Sequence, residues 1–347
     1  MKFNNVCIEA FGYELPTNVW TSDDIEELIE PVYQKLKFKK GQLEALTGIH
    51  ERRYWGMDFP VSRGAVMAGK NAFGKTDLKP SDIEMLIYAA VCRENLEPAT
   101  ACAVADGLGI GQDAMVFDIT NACLGVLNGI VQIATAIEAG QIKAGMVLSC
   151  ETSKRIMDIT IESLNRNPDM ENFRQTIATL TGGSGAIAVI VCHKDLSAEK
   201  RRVLLGGAVK NSVRHHDLCV WGYKNLSLDG YRMQMRTDSI SVLHNGVKLG
   251  IDTYQALKKN IGLKDSQPDK VICHQVGAAH QKTILESIGI STDKDFPTYP
   301  FLGNIGTVSL PITAAIAEER DFLNPGDLVC FLGIGSGLNC MMLGVRW

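Results

Sequence analysis

The chain has 347 residues, of which 46% are hydrophobic and 21% are charged, a composition typical of a soluble globular protein with two core-forming halves. Its net charge of −4 excludes a polybasic surface for nucleic acid or anionic membranes. The first residues lack the apolar core of a signal peptide, and no apolar run approaches the ~18 residues of a membrane span. We therefore expect a cytoplasmic protein with no nucleic-acid partner and no membrane span.

The ten cysteines are scattered through apolar segments, and no two have the Cys-x-x-Cys spacing. That spacing is typical of zinc sites, whereas disulfide frameworks are typical of short secreted chains. We expect reduced thiols and no metal site.

Strands and helices alternate along the first half. The apolar run 6–11 ends near Pro16 and predicts an edge strand, and Thr21 begins a helix. Further strands are predicted over 85–91, 115–119, 145–149 and 186–192, and helices over 65–73, 99–108 and 124–139. A helical insertion is predicted over 152–181. This alternation predicts an α/β layered architecture.

The second half repeats the pattern of the first. The strand-like segments at 82–87 and 268–272 correspond, and Gly-Ser-Gly precedes an apolar strand at 183–185 and again at 335–337. One repeat of this length predicts two duplicated α/β halves, 1–193 and 203–347, with the polar segment 194–202 between them. The insertion 152–181 belongs to the first half and is predicted to form a cap over a site.

Cys123 lies where the predicted buried strand 115–119 meets the predicted helix 124–139. Free amide N–H groups and the positive end of the helix dipole collect at such a junction, and both favour thiolate over thiol. A single cysteine in an apolar context is, however, more often a small side chain of the core. Position alone leaves both interpretations open.

Two other polar residues occupy comparable junctions in the second half. His274 follows the strand 270–273, and Asn304 lies between glycines before a helix that runs through Ile312 and Ala317. Taken singly, each is typical of a structural residue. Because α/β proteins place their sites at the ends of strands, their joint occurrence with Cys123 indicates one shared site.

These segments together resemble the thiolase-superfamily condensing enzymes of the ketoacyl synthase III type, over essentially the whole chain. The resemblance is carried by Thr47-Gly48-Ile49 with the following arginine pair, the region around Cys123, His274-Gln275, Gly303-Asn304-x-Gly306 and Gly333-x-Gly335-Ser336-Gly337. It implies a thiolase-like fold, two duplicated halves in α-β-α-β-α layers.

The resemblance also implies roles for individual residues. Cys123 would be the nucleophile that accepts the acyl group, and His274 and Asn304 would bind the carbonyl oxygen of the second thioester. The backbone N–H groups of Cys123 and Ser336 would form the oxyanion hole, where donors face developing negative charge.

The chain departs from the fatty-acid-initiating members of this family. Those members carry Trp and Arg where this chain has Gln42 and Leu46, and an aromatic residue where it has Glu97. The Glu97 position resembles the OleA subgroup, which joins two long-chain acyl-CoAs head to head. A condensation without loss of CO₂ needs a base for the α-proton, and a carboxylate in an apolar channel would serve. A solvated loop glutamate before Pro98 is the plainer interpretation.

The resemblance therefore predicts a homodimeric acyl-CoA condensing enzyme without a cofactor, in which Glu97 reaches the partner subunit's site. Acyl carrier protein is a possible alternative carrier. Two other functions stay open: decarboxylative synthesis from acyl-CoA and malonyl-ACP, and cysteine hydrolysis, since papain-like proteases share the order Cys, His, Asn.

The remaining motifs receive simpler interpretations. Gly333-x-Gly335-x-Gly337 leads into a strand, which excludes a dinucleotide-binding loop. The pair His215-His216 is predicted to lie in a surface loop, because no further ligand stands at metal-binding spacing. Basic residues that could contact CoA phosphates occur at Arg201, Arg202, Lys210, Arg214, Arg232 and Arg236.

Overall fold

The computed structural model describes residues 1–197, 202–225, 231–263 and 267–347. The described strands are β1 (Val6–Glu14), β2 (Asn18–Thr21), β3 (Glu51–Tyr54), β4 (Met85–Ala89), β5 (Met115–Ile119), β6 (Ala144–Glu151), β7 (Gly185–His193), β8 (Val203–Asn211), β9 (Cys219–Asn225), β10 (Tyr231–Thr237), β11 (Lys270–Cys273), β12 (Leu328–Gly335) and β13 (Asn339–Arg346). Nine of them form one sheet in the order β11-β12-β13-β8-β1-β7-β6-β4-β5, and β2-β3 and β9-β10 are separate hairpin-like pairs.

The described helices cover both faces of the sheet and the space between its halves. They are α1 (Ser22–Leu28), α2 (Glu30–Leu36), α3 (Gln42–Thr47), α4 (Val61–Phe73), α5 (Thr100–Leu108), α6 (Gly125–Glu138), α7 (Lys154–Arg166), α8 (Met170–Leu180), α9 (Ser239–Ile261), α10 (Ala278–Ile288), α11 (Tyr299–Leu302) and α12 (Ser309–Glu319). None of the described helices is long and apolar enough to cross a bilayer.

The sheet consists of a five-stranded and a four-stranded half that meet where β1 lies beside β8. The contact is narrow, with Cys7 opposite Val203. Apolar side chains of α6 and α12 share one core with strands of both halves, while α4 and α5 cover the first half and α9 and α10 the second. The result is the predicted order of layers, α-β-α-β-α.

Arg202 lies at the junction of the two halves. Its guanidinium donates to Glu318 at 2.6 Å and to the carbonyl oxygen of Glu9 at 2.7 Å. It also lies over the rings of Phe11 and Trp347. These contacts leave Arg202 no role as a phosphate ligand, contrary to its place among the predicted candidates. Residues 198–201 of the predicted seam lie outside the described residues, and Arg201 is one of them. The side chain of Arg232, another candidate phosphate ligand, also lies outside the described part of the chain.

Two strand predictions were wrong in their positions. β1 was expected at an edge, yet it pairs with β7 and β8, and its Val6 and Ile8 are fully buried, because α4 and α12 cover both of its faces. β5 was expected to be buried, yet it forms the edge of the sheet and Met115 is 44% exposed. An apolar run does not reveal how many neighbours a strand has.

The predicted insertion 152–181 consists of α7 and α8. These helices pack on each other and on β10, so that the β9–β10 pair and the insertion together cover one end of the sheet. Arg52 ties the insertion to the body: its fully buried guanidinium donates to the carbonyl oxygen of Leu180 and to the hydroxyl of Ser22.

Candidate active site

Cys123 occupies a tight turn between β5 and α6. The residue before it, Ala122, has φ +45°, a left-handed conformation that costs a non-glycine residue about 1 kcal/mol. The turn is closed by the N–H of Leu124, which donates to the carbonyl oxygen of Asn121 at 2.9 Å. The strained turn brings the Cys123 side chain to the end of the sheet, immediately before the first turn of α6.

Side chains from the second half hold this turn in place. The N–H of Val126, in the first turn of α6, donates to the hydroxyl of Thr307 at 2.8 Å. The amide of Asn339 donates to Asn121 at 3.2 Å, and the amide of Asn121 donates to Asn128 at 2.7 Å. Polar bonds between the two halves therefore fix the position of Cys123.

A cavity of about 380 Å³ opens at Cys123, and its walls are mainly apolar. The insertion contributes Ile156 and Ala178, and the β9–β10 pair contributes Trp221 and Met235. Asn304 and Ser336 also line it, as do Glu151 and His216. The structure thus brings three of the predicted site residues, Cys123, Asn304 and Ser336, to one cavity. His216, predicted to lie in a surface loop, is exposed and also reaches its wall.

The prediction that the helix N-terminus favours a thiolate at Cys123 was wrong for the unliganded protein. Burial raises the pKa of this thiol to about 12, and the neighbouring Cys219 and Glu151 raise it further. The nearby N–H groups do not offset burial, since those of Leu124 and Val126 are already bonded to Asn121 and Thr307. Cys123 is a protonated thiol at neutral pH.

Asn304 is held by backbone bonds to the end of the insertion. Its N–H donates to the carbonyl oxygen of Thr181 at 2.9 Å, and its carbonyl oxygen accepts the N–H of Gly183 at 3.0 Å. Its side-chain oxygen accepts the N–H of Gly306 at 3.1 Å. Because the oxygen faces Gly306, the side-chain nitrogen of Asn304 faces away from it. This nitrogen donates to no acceptor within the described residues, so it is available to the carbonyl oxygen of a ligand.

His274 lines a different and smaller cavity of about 40 Å³, together with His280. Its backbone N–H donates to Leu332 on the neighbouring strand β12, and its Nδ1 is buried with no hydrogen-bond partner in the described part of the chain. Burial, followed by the charge of His280, lowers the pKa of His274 to about 4. His274 is therefore neutral, and its joint action with Cys123 and Asn304 stays a prediction.

Glu97 lies outside the cavity, in an exposed loop between β4 and α5. Leu96 beside it is 99% exposed, which is unusual for a leucine in a folded chain. Both side chains project from the subunit next to the edge strand β5. The structure of one chain therefore leaves Glu97 free to reach a second subunit.

Glu151 is a site residue that the sequence analysis missed. It is the last residue of β6, is 4% exposed and lies in the wall of the Cys123 cavity. Burial raises the pKa of its carboxyl to about 7. The signal that could have revealed it is a carboxylate at the end of a buried strand. α/β proteins place their sites at that end of the sheet, where Cys123 also lies. Among the described residues, no cluster of ligating side chains suited to a metal ion occurs.

Comparisons with known proteins agree on the family. Residues 117–206 match the model of 3-oxoacyl-[acyl-carrier-protein] synthase III, and residues 257–347 match the model of its C-terminal part. Over 100% of both chains, the sequence is 48% identical to the acyl-CoA:acyl-CoA alkyltransferase of Shewanella oneidensis and 34% identical to that of Xanthomonas campestris pv. campestris.

The fold is similar to solved structures of Xanthomonas campestris OleA. A variant of that protein with a cysteine replaced by serine, with bound lauric acid and lauroyl-CoA, has 33% identity, a TM-score of 0.92 and coverage of 99% of this chain and 100% of that one. Other solved variants of OleA replace a glutamate or a histidine. The chain belongs to the acyl-CoA:acyl-CoA alkyltransferase (OleA) family, within the ketoacyl synthase III type of thiolase-superfamily acyltransferases.

Proposed function

We propose that the protein joins two fatty acyl-CoA molecules by a Claisen condensation without decarboxylation. The observation that carries this proposal is the mainly apolar cavity at Cys123, which also holds the free amide nitrogen of Asn304. Such a cavity suits an acyl chain whose thioester lies beside a nucleophile and a hydrogen-bond donor. The relatives named for acyl-CoA:acyl-CoA alkyl transfer support the choice of substrate.

In the first half-reaction, the sulfur of Cys123 attacks the thioester carbon of one acyl-CoA. The new C–S bond forms, the bond to CoA breaks, and CoA leaves with the proton of the Cys123 thiol. The N–H groups of Cys123 and Ser336 would stabilise the oxyanion that forms between these two events.

In the second half-reaction, the partner subunit's Glu97 removes an α-proton from a second acyl-CoA. The resulting enolate, stabilised by His274 and Asn304, attacks the acyl group on Cys123. A C–C bond forms, the bond to sulfur breaks, and a β-ketoacyl-CoA results; the Cys123 thiolate then takes up a proton, Glu97 gives up the one it removed, and hydrolysis converts the product into the β-keto acid. Every step conserves oxidation state, so the reaction needs no redox cofactor.

The base assignment has support from the relatives. In the solved OleA variants, the replaced glutamate precedes the replaced cysteine by the same number of residues as Glu97 precedes Cys123.

Purified protein given acyl-CoA alone tests the proposal: we expect acyl-Cys123 by intact-protein mass spectrometry, and then a β-keto product. Product only with a malonyl donor would favour decarboxylative synthesis, and hydrolysis alone would favour a hydrolase. Acyl-ACP in place of acyl-CoA tests the carrier.

We also propose that the protein is a homodimer in the cytoplasm. β5 is an edge strand, and Leu96, next to Glu97 in the loop between β4 and α5, is a fully exposed apolar side chain. An open strand edge of this kind is a ready site for pairing with a second copy. None of the ten cysteines, all within the described residues, forms a disulfide bond, which is typical of a reducing compartment. Light scattering of the wild type and of Leu96→Asp tests the dimer.

A further inference from the structure

Glu151 joins the cavity to the loop that carries Glu97. Its two carboxylate oxygens each accept one backbone N–H at the start of that loop, from Val91 at 2.9 Å and from Cys92 at 3.2 Å. Its side chain also lies against Gly306, where a Cβ atom would be 3.4 Å from Cγ of Glu151. Glu151 therefore contacts both the Glu97 loop and the turn that holds Asn304.

The loop is held at its other end by a second carboxylate. Asp118, on β5, accepts the N–H groups of Thr100 and Ala101 at 2.9 and 2.8 Å, where the loop enters α5. Between these two anchors, the residues around Glu97 are exposed. Glu94 adds a third attachment, because its carboxylate accepts the N–H and the hydroxyl of Ser62. The position of Glu97 therefore depends on these attachments, of which Glu151 holds the start of the loop.

No cation neutralises Glu151 within the described part of the chain. The titratable groups that face it are Tyr88 of β4, Cys92 of the loop, Cys150 of its own strand and Cys123, and burial raises the pKa of each above its ordinary value. All four are neutral near pH 7. The backbone N–H groups of the loop are thus the main partners of the Glu151 carboxylate.

We propose that Glu151 is a positioning residue whose carboxylate fixes the start of the loop that presents Glu97 to the partner subunit's site. This inference rests on the proposed function, because it assigns Glu151 to the second half-reaction. The N–H groups of Val91 and Cys92 donate to different oxygens of Glu151, and the ionised side chain offers both oxygens as full acceptors. A neutral acid or an amide turns a donor toward one N–H and leaves it unsatisfied, which weakens the anchor.

The proposal predicts opposite effects on the two half-reactions in Glu151→Gln. Removing a negative charge near Cys123 favours its thiolate, so acylation by lauroyl-CoA should be unchanged or faster. Condensation should slow at least tenfold, about the effect of one lost hydrogen bond. In the wild type, the condensation rate should fall as pH decreases through about 7, and this inflection should be absent in the variant.

Glu138→Gln is the control outside the cavity: one oxygen of the Glu138 carboxylate accepts the backbone N–H groups of both Asn4 and Asn5, so the amide oxygen of glutamine can still accept both. It should leave both half-reactions and the pH profile unchanged. Glu151→Asp keeps the charge and should recover part of the condensation rate. Condensation at the wild-type rate in Glu151→Gln would overturn the proposal, as would an equal loss of acylation and condensation.

Amide hydrogen exchange of the wild type tests the anchor without a variant. After correction for intrinsic exchange, protection of the Val91 and Cys92 amides should fall about tenfold between pH 8.5 and pH 6, as Glu151 takes up a proton. The amides of Asn4 and Asn5 should keep their protection, because their N–H bonds hold the pKa of Glu138 below its ordinary value. Unchanged protection of Val91 and Cys92 would overturn the proposal. Absence of acyl-Cys123 would instead overturn the proposed function.

Discussion

Gly335, the last residue of β12, lies directly against the backbone nitrogen of Cys123. A Cβ atom at Gly335 would be 3.4 Å from that nitrogen, in van der Waals contact, and 3.3 Å from Cγ of Leu124, which is tighter than most Cβ contacts. The second half of the chain thereby supports the nucleophile's own amide. Ser336, the next residue, lines the cavity together with Cys123, as the predicted oxyanion hole requires.

Gly335→Ala should slow acyl transfer to Cys123 several-fold, because the added methyl group crowds Leu124 and so shifts the turn that carries the Cys123 amide. Loss of one such donor typically costs about 10²–10³ in rate, and a displacement costs part of that. The measurement is the burst of free CoA on mixing with lauroyl-CoA. Gly111→Ala is the control, since nothing lies within 4 Å of a Cβ there. An unaltered burst in Gly335→Ala would remove these amides from the mechanism.

Glu97 should act across the subunit interface, and mixing two inactive variants tests this. A dimer of Cys123→Ala with Glu97→Gln contains one site with an intact Cys123 and the partner subunit's intact Glu97. After random subunit exchange, condensation should recover to roughly a quarter of the wild-type rate. If Glu97 served its own subunit, no mixed dimer would contain a complete site and the mixture would stay inactive. Each variant alone supplies the baseline.

The thiol of Cys123 should react slowly with iodoacetamide at neutral pH. Because burial raises its pKa to about 12, the thiolate fraction should rise about tenfold for each pH unit between 7 and 10. Mass spectrometry of the peptide that contains Cys123 measures the rate, and Cys123→Ala identifies the signal. A plateau reached by pH 8 would instead show that the helix N-terminus outweighs burial.

The sequence allowed the local elements to be predicted well, because periodicity and caps act over a few residues. Helix α6 and strand β11 lie within one residue of their predicted bounds, and Thr21, where a helix was predicted to begin, is the N-cap of α1. The position of each strand within the sheet depends on distant partners. For that reason the sequence predicted an edge position for β1, which lies inside the sheet, and a buried position for β5, which lies at its edge.

The site was predictable in part for the same reason. Cys123 and Ser336 follow strands β5 and β12, as the duplicated pattern predicted, whereas Asn304 follows the short helix α11 and not a strand; all three line one cavity. Glu151 was missed because its role depends on two N–H groups of a loop about sixty residues away in sequence. The elevated pKa of Cys123 was missed because burial is a property of the folded chain, whereas a helix N-terminus can be located in the sequence.

His274 and Glu151 should give the stability of the protein opposite dependences on pH. The pKa of His274 falls to about 4 on folding. As pH decreases below 6.5, this histidine is therefore protonated in the unfolded chain before it is protonated in the folded chain, and stability is lost. The pKa of Glu151 rises to about 7 on folding, so its contribution is present below 4.5 and is lost as pH increases toward 7. Each effect is on the order of 3 kcal/mol.

Urea unfolding of His274→Asn and Glu151→Gln at pH 5 and pH 7.5, at one fixed protein concentration, measures these effects. Relative to the wild type, His274→Asn should be more stable at pH 5 than at pH 7.5, because the acid-sensitive imidazole is gone. Glu151→Gln should be relatively more stable at pH 7.5, because no buried carboxyl has to ionise. Glu138→Gln should show little difference between the two pH values, since Glu138 is ionised at both. Shifts of the same sign in the two site variants would contradict the assigned protonation states.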